Sequence, residues 1–402
     1  MEIFEVGGAV RDSLLGRAVK DRDWVVVGAT AAELEAQGFR QVGADFPVFL
    51  HPETNEEYAL ARTERKTGQG YTGFSTDSAS SVTLEQDLAR RDFTVNAMAR
   101  DSEGNVIDPH NGRRDLELKL LRHVGPAFIE DPLRVLRGAR FAATLGFDIA
   151  PETQALMHEI AASGELEALT PERVWQELRR ALNTEHPDRF IEVLRECGAL
   201  KSVLPEVDRL FGVPQPPKHH PEVDTGIHIL LALKQAVSLA ADEAVRFAVL
   251  VHDLGKGTTP ADILPGHRGH EQRGVDLIQE MCDRIRVPRE HRELAELVSR
   301  LHTRVHQALD MRPLKLVSLL EDADAFRRPQ RFEQFLLACK ADATGRKGRS
   351  NADYSQVERL RQAHSVAAAV NAREIAAQNV AGHRIAEAIR EARIAAVTRS
   401  EI

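Results

Sequence analysis

The chain is poor in cysteine, in aromatic residues and in long apolar runs, and each shortage excludes something. Its three cysteines, Cys197, Cys282 and Cys339, stand far apart in 402 residues with no CxxC pair. A disulfide framework or a thiolate zinc site is therefore not expected, and a reducing cytoplasm fits. No apolar run approaches the ~18 residues that a membrane span needs, so no membrane partner is expected. The first residues, MEIFEVGGAVRDSLLG, lack a basic segment and break their apolar part with charges, so no signal peptide is expected. Aromatic residues make up 5%, too few for an RNA-binding scaffold that works by base stacking. The net charge of −8 argues against wholesale coating of nucleic acid but leaves room for a local basic groove.

What is present is globular. Hydrophobic residues make up 43% and charged residues 28%, so wholesale disorder is excluded. At roughly 100–200 residues per domain the length suggests about two to four domains. Residues 1–110 hold most of the strand signals: IFEV, WVVV after Asp23, FPVFL at 46–50 and EYALA at 57–61, with helical pieces between. They read as a small α/β domain. From about residue 122 the pattern is helical. DPLRVLRGARFAATLG, PETQALMHEIAAS and PERVWQELRRAL carry apolar residues at three- and four-residue spacing. Asp131-Pro132 and Thr170-Pro171 look like an N-cap followed by a first-turn proline. Five prolines at 205–226 break any helix and mark a boundary. Beyond it come helices studded with histidine, a polar break at GRKGRSNADYS and an Ala-rich helical tail. The expected divisions are 1–121, 122–205, 206–340 and 341–402.

The N-terminal chemistry starts at VGGAVRDSLLG, followed by KDRDWVVVG. A strand runs into Gly7-Gly8 and a helix follows, where glycine lets backbone approach a ligand and free N–H groups face phosphate. Arg11 adds a fixed positive charge one turn in. Asp21 and Asp23 are expected on one face at the mouth of an apolar strand, about 7 Å apart. Two such carboxylates repel unless a divalent cation lies between them, and Mg²⁺ with triphosphate oxygens is the natural partner. A bare DxD is more often a polar turn; the upstream glycines and Arg11 give this one its meaning. Two-metal phosphoryl transfer usually adds a third acid. Glu57 on EYALA is the choice, since Glu56 points to the other face. RTERKTGQGYTGFST at 62–76 has the composition of a mobile loop that closes near phosphates. In LARRDFTVNAMA, Arg90 and Arg91 are expected to neutralise triphosphate.

Together GGAVRD, DRD, RRDFTVNAMA and EDPLRVLRGAR resemble the class II tRNA nucleotidyltransferases, the bacterial CCA-adding enzymes of the DNA polymerase beta-like superfamily. The likeness runs through LTPERVWQEL to VHDLGKG and is closest to the multifunctional type with an appended HD phosphohydrolase domain. It implies an α/β nucleotidyltransferase head, an all-α neck, and an all-α HD domain with a helical tail. It implies template-independent addition and repair of the 3′-terminal CCA of tRNA from CTP and ATP. Asp21 and Asp23 match the family's metal-binding carboxylates, and Gly8, Arg11 and Arg91 its nucleotide contacts. Asp131 and Arg134 of its EDxxR motif read the base, and Arg137 and Arg140 match further contacts. The physics agrees: Asp131, Arg134 and Arg137 are spaced by three on one helix face. A carboxylate beside a guanidinium suits the base edges of cytosine and adenine and leaves those of guanine and uracil unpaired.

His252-Asp253 in VRFAVLVHDLGKGTTP resembles the HD phosphohydrolase superfamily. In that superfamily an earlier His, the HD pair and a later Asp hold a divalent metal, which activates water for attack on a phosphate ester. His228 is the earlier His and Asp342 one choice for the later Asp; His267, His270, His302 and His306 are further options. Many members carry a second HD-like pair where this chain has His302-Thr303. Imidazole with carboxylate suits Ni²⁺, Co²⁺ or Mn²⁺ better than Mg²⁺. The expected activities are 2′,3′-cyclic phosphodiesterase, 2′-nucleotidase and phosphatase. Two other readings compete. A poly(A) polymerase shares the N-terminal motifs, but no long basic C-terminal extension is present. A metal phosphohydrolase or nucleotide sensor with an inert head is opposed by intact Asp21, Asp23 and Arg91. The tRNA would be gripped through charge and shape, with Arg179, Arg180, Lys218, Arg327, Arg328, Arg331, Arg346, Lys347 and Arg349 as positive groups. The expected oligomeric state is monomer or homodimer.

Overall fold

A computed structural model describes residues 1–400 except 20, 43–47, 67–73, 219 and 378–383. The chain forms two compact units: Met1–Glu177 with Glu192–Val203, and Leu178–Ile191 with Leu204–Ile402.

Unit 1 is built on a mixed sheet. Its strands are β1 (Glu2–Val6), β2 (Asp23–Val27), β3 (Arg40–Val42), β4 (Val48–Leu50), β5 (Glu57–Leu60), β8 (Ala99–Arg100) and β9 (Val106–Ile107), in the order β3-β4-β5-β2-β1-β8-β9. A separate hairpin pairs β6 (Thr63–Lys66) with β7 (Phe74–Asp77). The helices of this region are α1 (Gly8–Leu14), α2 (Ala31–Ala36), α3 (Leu84–Ala89) and α4 (Gly112–Leu118). The apolar run of β2 has a simple cause: both sheet faces are covered. Val6, Val25 and Ala61 pack with Leu84 and Leu88 on one side. Val26, Tyr58 and Leu60 pack with Leu34 and Phe39 on the other. β2 and β5 run parallel with Asp23 opposite Glu57, so the sheet brings two acidic residues side by side at the start of two central strands. Asp21 precedes the strand rather than lying on it. Of the expected strand at 46–50, residues 46 and 47 lie outside the described residues, as do 67–73 of the expected loop at 62–76, whose two ends form β6 and β7.

After the short parallel pair β10 (Leu120–Leu121) and β11 (Asp148–Ile149), the chain is helical: α5 (Leu133–Leu145), α6 (Pro151–Ser163) and α9 (Leu200–Val203) lie in unit 1, while α7 (Pro171–Leu182) and α8 (Pro187–Glu196) each run from one unit into the other. α5 buries Val135, Leu136, Ala139 and Ala142, and Arg134, Arg137 and Arg140 fall on its other stripe. Gly146, at φ 70°, ends it in the left-handed conformation that favours glycine. Asp131 lies one residue ahead of the cap, Pro132, yet its Oδ1 accepts the Leu133 N–H at 3.0 Å. It therefore caps the first turn from outside the helix.

Unit 2 is helical: α10 (Pro205–Asp208), α11 (Thr225–Ser238), α12 (Glu243–Val251), α13 (His270–Ile285), α14 (Arg289–His306), α15 (Pro313–Asp322), α16 (Pro329–Thr344), α17 (Gln356–Ala368), α18 (Ala372–Ala377) and α19 (Ile385–Arg399). Two expectations need correction. The proline-rich stretch still forms α10, because Pro205 occupies the first helical position, where a missing N–H costs nothing. The boundary at 340–341 falls inside α16, so Asp342 belongs to a helix that packs on α11, α12 and α14. Asp224 and Asp242 start α11 and α12 by accepting the Ile227 and Val245 N–H groups, each at 2.9 Å.

The turn after α12 is pressed against α13. A Cβ on Gly255 would stand 2.0 Å from the His270 carbonyl oxygen and 2.6 Å from the Gly274 nitrogen. Both are backbone atoms and cannot swing away. Gly255→Ala is therefore expected to destabilise unit 2 by at least the ~1–3 kcal/mol typical of overpacking. Chemical denaturation checks this; an unchanged midpoint would refute the close approach.

Candidate functional site

The cleft of unit 1, about 460 Å³, is lined by Gly7, Gly8, Arg11, Asp23, Arg90, Arg91, Asp92, Asn96, Asp131, Leu133, Arg134, Arg137, Phe141 and Arg173. Six guanidinium groups share it with three carboxylates. Each arginine is held by a second residue. Asp87 on α3 is fully buried and meets Arg90 at 2.9 Å and Arg91 at 3.1 Å. Asp92 meets Arg137 at 2.6 Å and accepts from Asn96 at 3.1 Å. Asn96 in turn accepts from Arg11 at 2.6 Å. Arg134 donates to the carbonyls of Arg90 and Ala127, at 2.7 and 3.0 Å. Arg173 reaches Asp131 at 3.5 Å. The Phe141 ring lies against Arg11 and Arg137, whose guanidinium carbons are 5.4 and 5.3 Å from its centroid. Gly7 has φ 71°, and a Cβ there would sit 2.9 Å from Arg91 Nη1. The backbone conformation is what favours glycine here, since the guanidinium end of Arg91 could shift aside. α1 has only seven residues, so the positive character of the cleft comes chiefly from side chains.

Of the expected residues, Gly8, Arg11, Asp23, Arg91, Asp131, Arg134 and Arg137 line this cleft; Asp21, Glu57 and Arg140 do not. Arg140 turns to Glu177, at 2.5 Å. Asp21 and Glu57 are exposed, and among the described residues they form no three-ligand group with Asp23. Burial raises the Asp23 carboxyl above its ordinary range; Arg91 opposes this and the Asp21 charge adds to it. The residues missed by sequence reading are the holders. Asp87 was legible, because three- and four-residue spacing to Arg90 and Arg91 puts all three on one helical turn. Arg173 gave no local signal.

The second constellation lies in unit 2. His228 from α11, His252 at the end of α12, Asp253 after it, His270 from α13, His302 and His306 from α14, and Asp342 from α16 converge. His228 Nε2 is 3.0 Å from Asp342 Oδ1, and His252 Nε2 is 3.2 Å from Asp253 Oδ2. His306 bridges Asp342 Oδ2 at 2.8 Å and the Tyr354 hydroxyl at 2.6 Å. His267 stands apart, engaged with Thr259 and the Pro214 carbonyl. Sequence reading missed His220, Glu222, Gln215 and Lys256. Glu222 Oε1 is 3.2 Å from His220 Nδ1 and 3.0 Å from His228 Nδ1. Lys256 Nζ lies 2.6 Å from both Asp253 Oδ2 and Gln215 Oε1. Burial pushes His220 and His270 down to about 4. Several groups expected to grip RNA sit in ion pairs. Arg179 meets Glu243 at 2.8 Å, Arg328 and Arg331 meet Glu293, and Arg346 is 3.6 Å from Asp342.

A mixed sheet with acidic residues at one strand end, an arginine-lined cleft, and a separate helical unit with a His/Asp cluster define a nucleotidyltransferase head joined to an HD domain. Residues 3–122 match the family described as "Poly A polymerase head domain", 146–211 "Probable RNA and SrmB- binding site of polymerase A", and 225–328 "HD domain". Over 99% of its length the chain is 59% identical to the multifunctional CCA protein of Thioalkalivibrio sulfidiphilus, covering 98% of that protein. It is 56% identical to the one of Pseudomonas aeruginosa, again over 99% of this chain and 98% of that protein. The chain belongs to the multifunctional CCA protein family. Among solved structures it is similar to a Bacillus stearothermophilus CCA-adding enzyme in complex with CTP, with TM-score 0.64, 24% identity, and 99% and 89% of the two chains covered. A Thermotoga maritima CCA-adding enzyme complexed with tRNA gives 0.61, 20%, and 99% and 87%. At these identities the likeness is one of fold.

Burial alone would raise the Asp92 carboxyl, but Arg137 and the Asn96 hydrogen bond outweigh it and hold it at about 2. A folded value below the ordinary 3.8 adds stability above about pH 4, which is lost as pH falls through about 2. The loss amounts to roughly 2 kcal/mol. Denaturant titrations between those pH values are expected to show this steepening in the parent protein and less of it in Asp92→Asn. Equal slopes would mean that Asp92 carries no such linkage.

Proposed function

We propose that the protein adds and repairs the 3′-terminal CCA of tRNA from CTP and ATP without a nucleic-acid template, in the cytoplasm. We propose further that unit 2 is a metal-dependent phosphohydrolase acting on 2′,3′-cyclic phosphates, 2′-nucleotides and small phosphomonoesters. The observation that carries the first reading is the cleft where Asp23, Asp131 and six arginines, Arg134 among them, meet. The names of the full-length relatives support it. No helix among the described residues is long and apolar enough to cross a membrane.

In this reading Asp21 and Asp23 hold Mg²⁺, with Glu57, in register with Asp23, as the third acid. Hard carboxylate oxygens fit that ion, and the mutual repulsion of Asp21 and Asp23 is what a cation relieves. Bound there, Mg²⁺ supplies activation of the attacking 3′-hydroxyl and charge neutralisation at the pyrophosphate. Arg11, Arg90 and Arg91 bind the triphosphate, with Gly7 and Gly8 allowing backbone approach. Asp131 accepts from the exocyclic amine of cytosine or adenine and Arg134 donates to the adjacent ring acceptor. Asp87 keeps Arg90 and Arg91 aimed before substrate arrives, and Asp92 does the same for Arg11 through Asn96, so little is spent on ordering them.

In unit 2 His228, His252, Asp253 and Asp342 would hold a divalent cation. Their fit rests on the convergence of donor atoms around one point: His228 Nε2 lies 3.0 Å from Asp342 Oδ1 and His252 Nε2 3.2 Å from Asp253 Oδ2, and the buried His252 Nε2 lacks a directed hydrogen bond. Mixed imidazole and carboxylate donors suit Ni²⁺, Co²⁺ or Mn²⁺. Bound there, the cation supplies activation of water for attack on phosphorus. Lys256, Arg268 and Thr303 line the adjoining cavity, about 470 Å³, and bring positive charge and a hydroxyl to the phosphate.

The test is purified protein with tRNA lacking its 3′ end and single nucleotides. Cytidine addition is expected from CTP alone and adenosine only when CTP is also supplied; long tails from ATP alone would favour a poly(A) polymerase. Asp23→Ala is expected to abolish both additions while leaving phosphoester hydrolysis, and His252→Ala to do the reverse. Substantial incorporation by Asp23→Ala with Mg²⁺ present, or unchanged hydrolysis by His252→Ala with Ni²⁺ present, would sink the respective assignment.

Replacing Asp131 or Arg134 by Ala is expected to relax the preference for CTP and ATP more than it weakens triphosphate binding. Misincorporation of UTP and GTP is the readout. An equal loss of rate for all four nucleotides, with no misincorporation, would mean that this pair does not choose the base.

A further inference from the structure

The DRD string begins before its strand does. β2 pairs with β1 from Asp23 onward, with Asp23 opposite Val6, and with β5 from Asp23 opposite Glu57. Neither ladder reaches Asp21 or Arg22, so backbone pairing does not fix which way those two side chains face. The face of Asp23 is set by the sheet. It stands two residues before Val25, which packs with Val6, Leu84 and Leu88 on the side of α3. Arg91, just past α3, lines the same cleft as Asp23.

Arg22 turns to the opposite face. Its Nη1 donates to Glu5 Oε1 at 2.8 Å. Glu5 adjoins Val6 on β1 and so points away from the α3 side. It is 3% exposed, and its other oxygen, Oε2, is 3.1 Å from Arg100 Nη1. Arg100 stands opposite Glu5 in the β1–β8 ladder and donates through Nη2 to Ser13 Oγ at 3.0 Å. Glu5 is therefore a fixed point, a strand residue held by charge-assisted bonds to two guanidinium groups. A half-exposed ion pair such as Arg22–Glu5 adds little to stability. What it fixes is a direction. With Arg22 tied behind the sheet, the chain just ahead of β2 keeps the alternation of the strand, and Asp21 comes to the side of Asp23. The Asp21 charge acts on the Asp23 carboxyl, as that placement requires. Without the tie, two like charges of which only one is held by a ladder would turn apart.

We infer that Glu5, acting through Arg22, is a positioning residue for nucleotide transfer: the pair extends the alternation of β2 beyond its ladder and so presents Asp21 beside Asp23 to the divalent cation. The inference rests on the reading above in which those two carboxylates hold Mg²⁺, and it adds the pair that aims them. One sign separates this role from a simple charge effect. A guanidinium beside a cation site repels the cation, so removing it with the aim unchanged would tighten metal binding. Loss of aim weakens it, and groups that orient metal ligands are worth about 10–100-fold in affinity.

The test measures metal affinity apart from turnover. Full-length parent and variants are stripped with chelator and titrated with Mn²⁺, the free ion being followed by electron paramagnetic resonance. The site in the head is the part of the binding that Asp23→Ala removes. Arg22→Gln leaves Glu5 paired with Arg100 and is expected to weaken that site about tenfold. Glu5→Gln is expected to match it, and the double variant to be no weaker than either, as for two residues acting through one contact. Arg100→Gln spares the Glu5–Arg22 pair and is expected to bind as the parent does. In nucleotide addition, Arg22→Gln is expected to raise the Mg²⁺ concentration for half-maximal rate and to leave KM for CTP at saturating Mg²⁺ unchanged. Unchanged or tighter Mn²⁺ binding by Arg22→Gln overturns the inference. So does an equal loss in Arg100→Gln, which would make Glu5 a strut of the sheet. A raised KM for CTP with the Mg²⁺ dependence of the parent would make Arg22 a substrate contact and overturns it too. A parent with no Mn²⁺ site that Asp23→Ala removes would overturn the metal reading of the head itself, and this inference with it.

Discussion

Positive charges crowded around one cleft repel one another, and the head of this protein depends on how that repulsion is met. Arg90 and Arg91 are tied to one carboxylate, Asp87, which is fully buried. Arg137 is tied to Asp92, and Arg140 to Glu177. A buried carboxylate bound by two guanidinium groups gains enough to outweigh its own desolvation, and both Asp87 and Asp92 are held below the ordinary carboxylate range. Asp87 thus balances Arg90 and Arg91 from outside the lining of the cleft, whereas Asp92 lines it beside Arg137.

Unit 2 meets the opposite problem. There the excess is of acceptors, and the backbone sets it up. His252, His270 and His302 each spend Nδ1 on a carbonyl within their own helix or turn, three or four residues back. The ring orientation is therefore a local product of helix geometry, and the long-range fold has only to aim the helices. That division of labour explains why the turn at Gly255 must come so close to α13: the two rings from α12 and α13 are aimed by elements whose backbones nearly touch there.

The sequence exposed what is contiguous. The doubly covered strand β2, the DRD at its mouth, the basic stripe of α5 and the His252-Asp253 pair are all local strings whose spacing carries their meaning. Register was partly legible: Glu57 was chosen as a strand residue, and the parallel pairing sets it beside Asp23. Asp21 was placed on the strand because alternation continues smoothly through DRD, yet pairing of β2 with β1 begins only at Asp23. Arg140 continues the three-residue spacing of α5 but meets an acid from α7 instead of the cleft, a contact that no periodicity within α5 reveals. His220 and Glu222 lie in a proline-rich stretch without period, so nothing local marked them.

Asp342 shows where the limit falls. Its neighbours in sequence, CKADATGR, suggest a helix end next to a polar break, and a domain edge at 340–341 followed from that. The structure runs α16 through to Thr344, because Phe332, Phe335, Leu336 and Cys339 on its buried face bind the helix to the core. Asp342 continues that buried face, three residues beyond Cys339. A carboxylate on an otherwise apolar face is costly unless something there needs it. Here His228 and His306 receive it at 3.0 and 2.8 Å. The apolar stripe of a helix places the acid, and the cluster waiting at its end accounts for its burial. A polar residue found at a core position is thus a sharper pointer to a site than the composition of the segment around it.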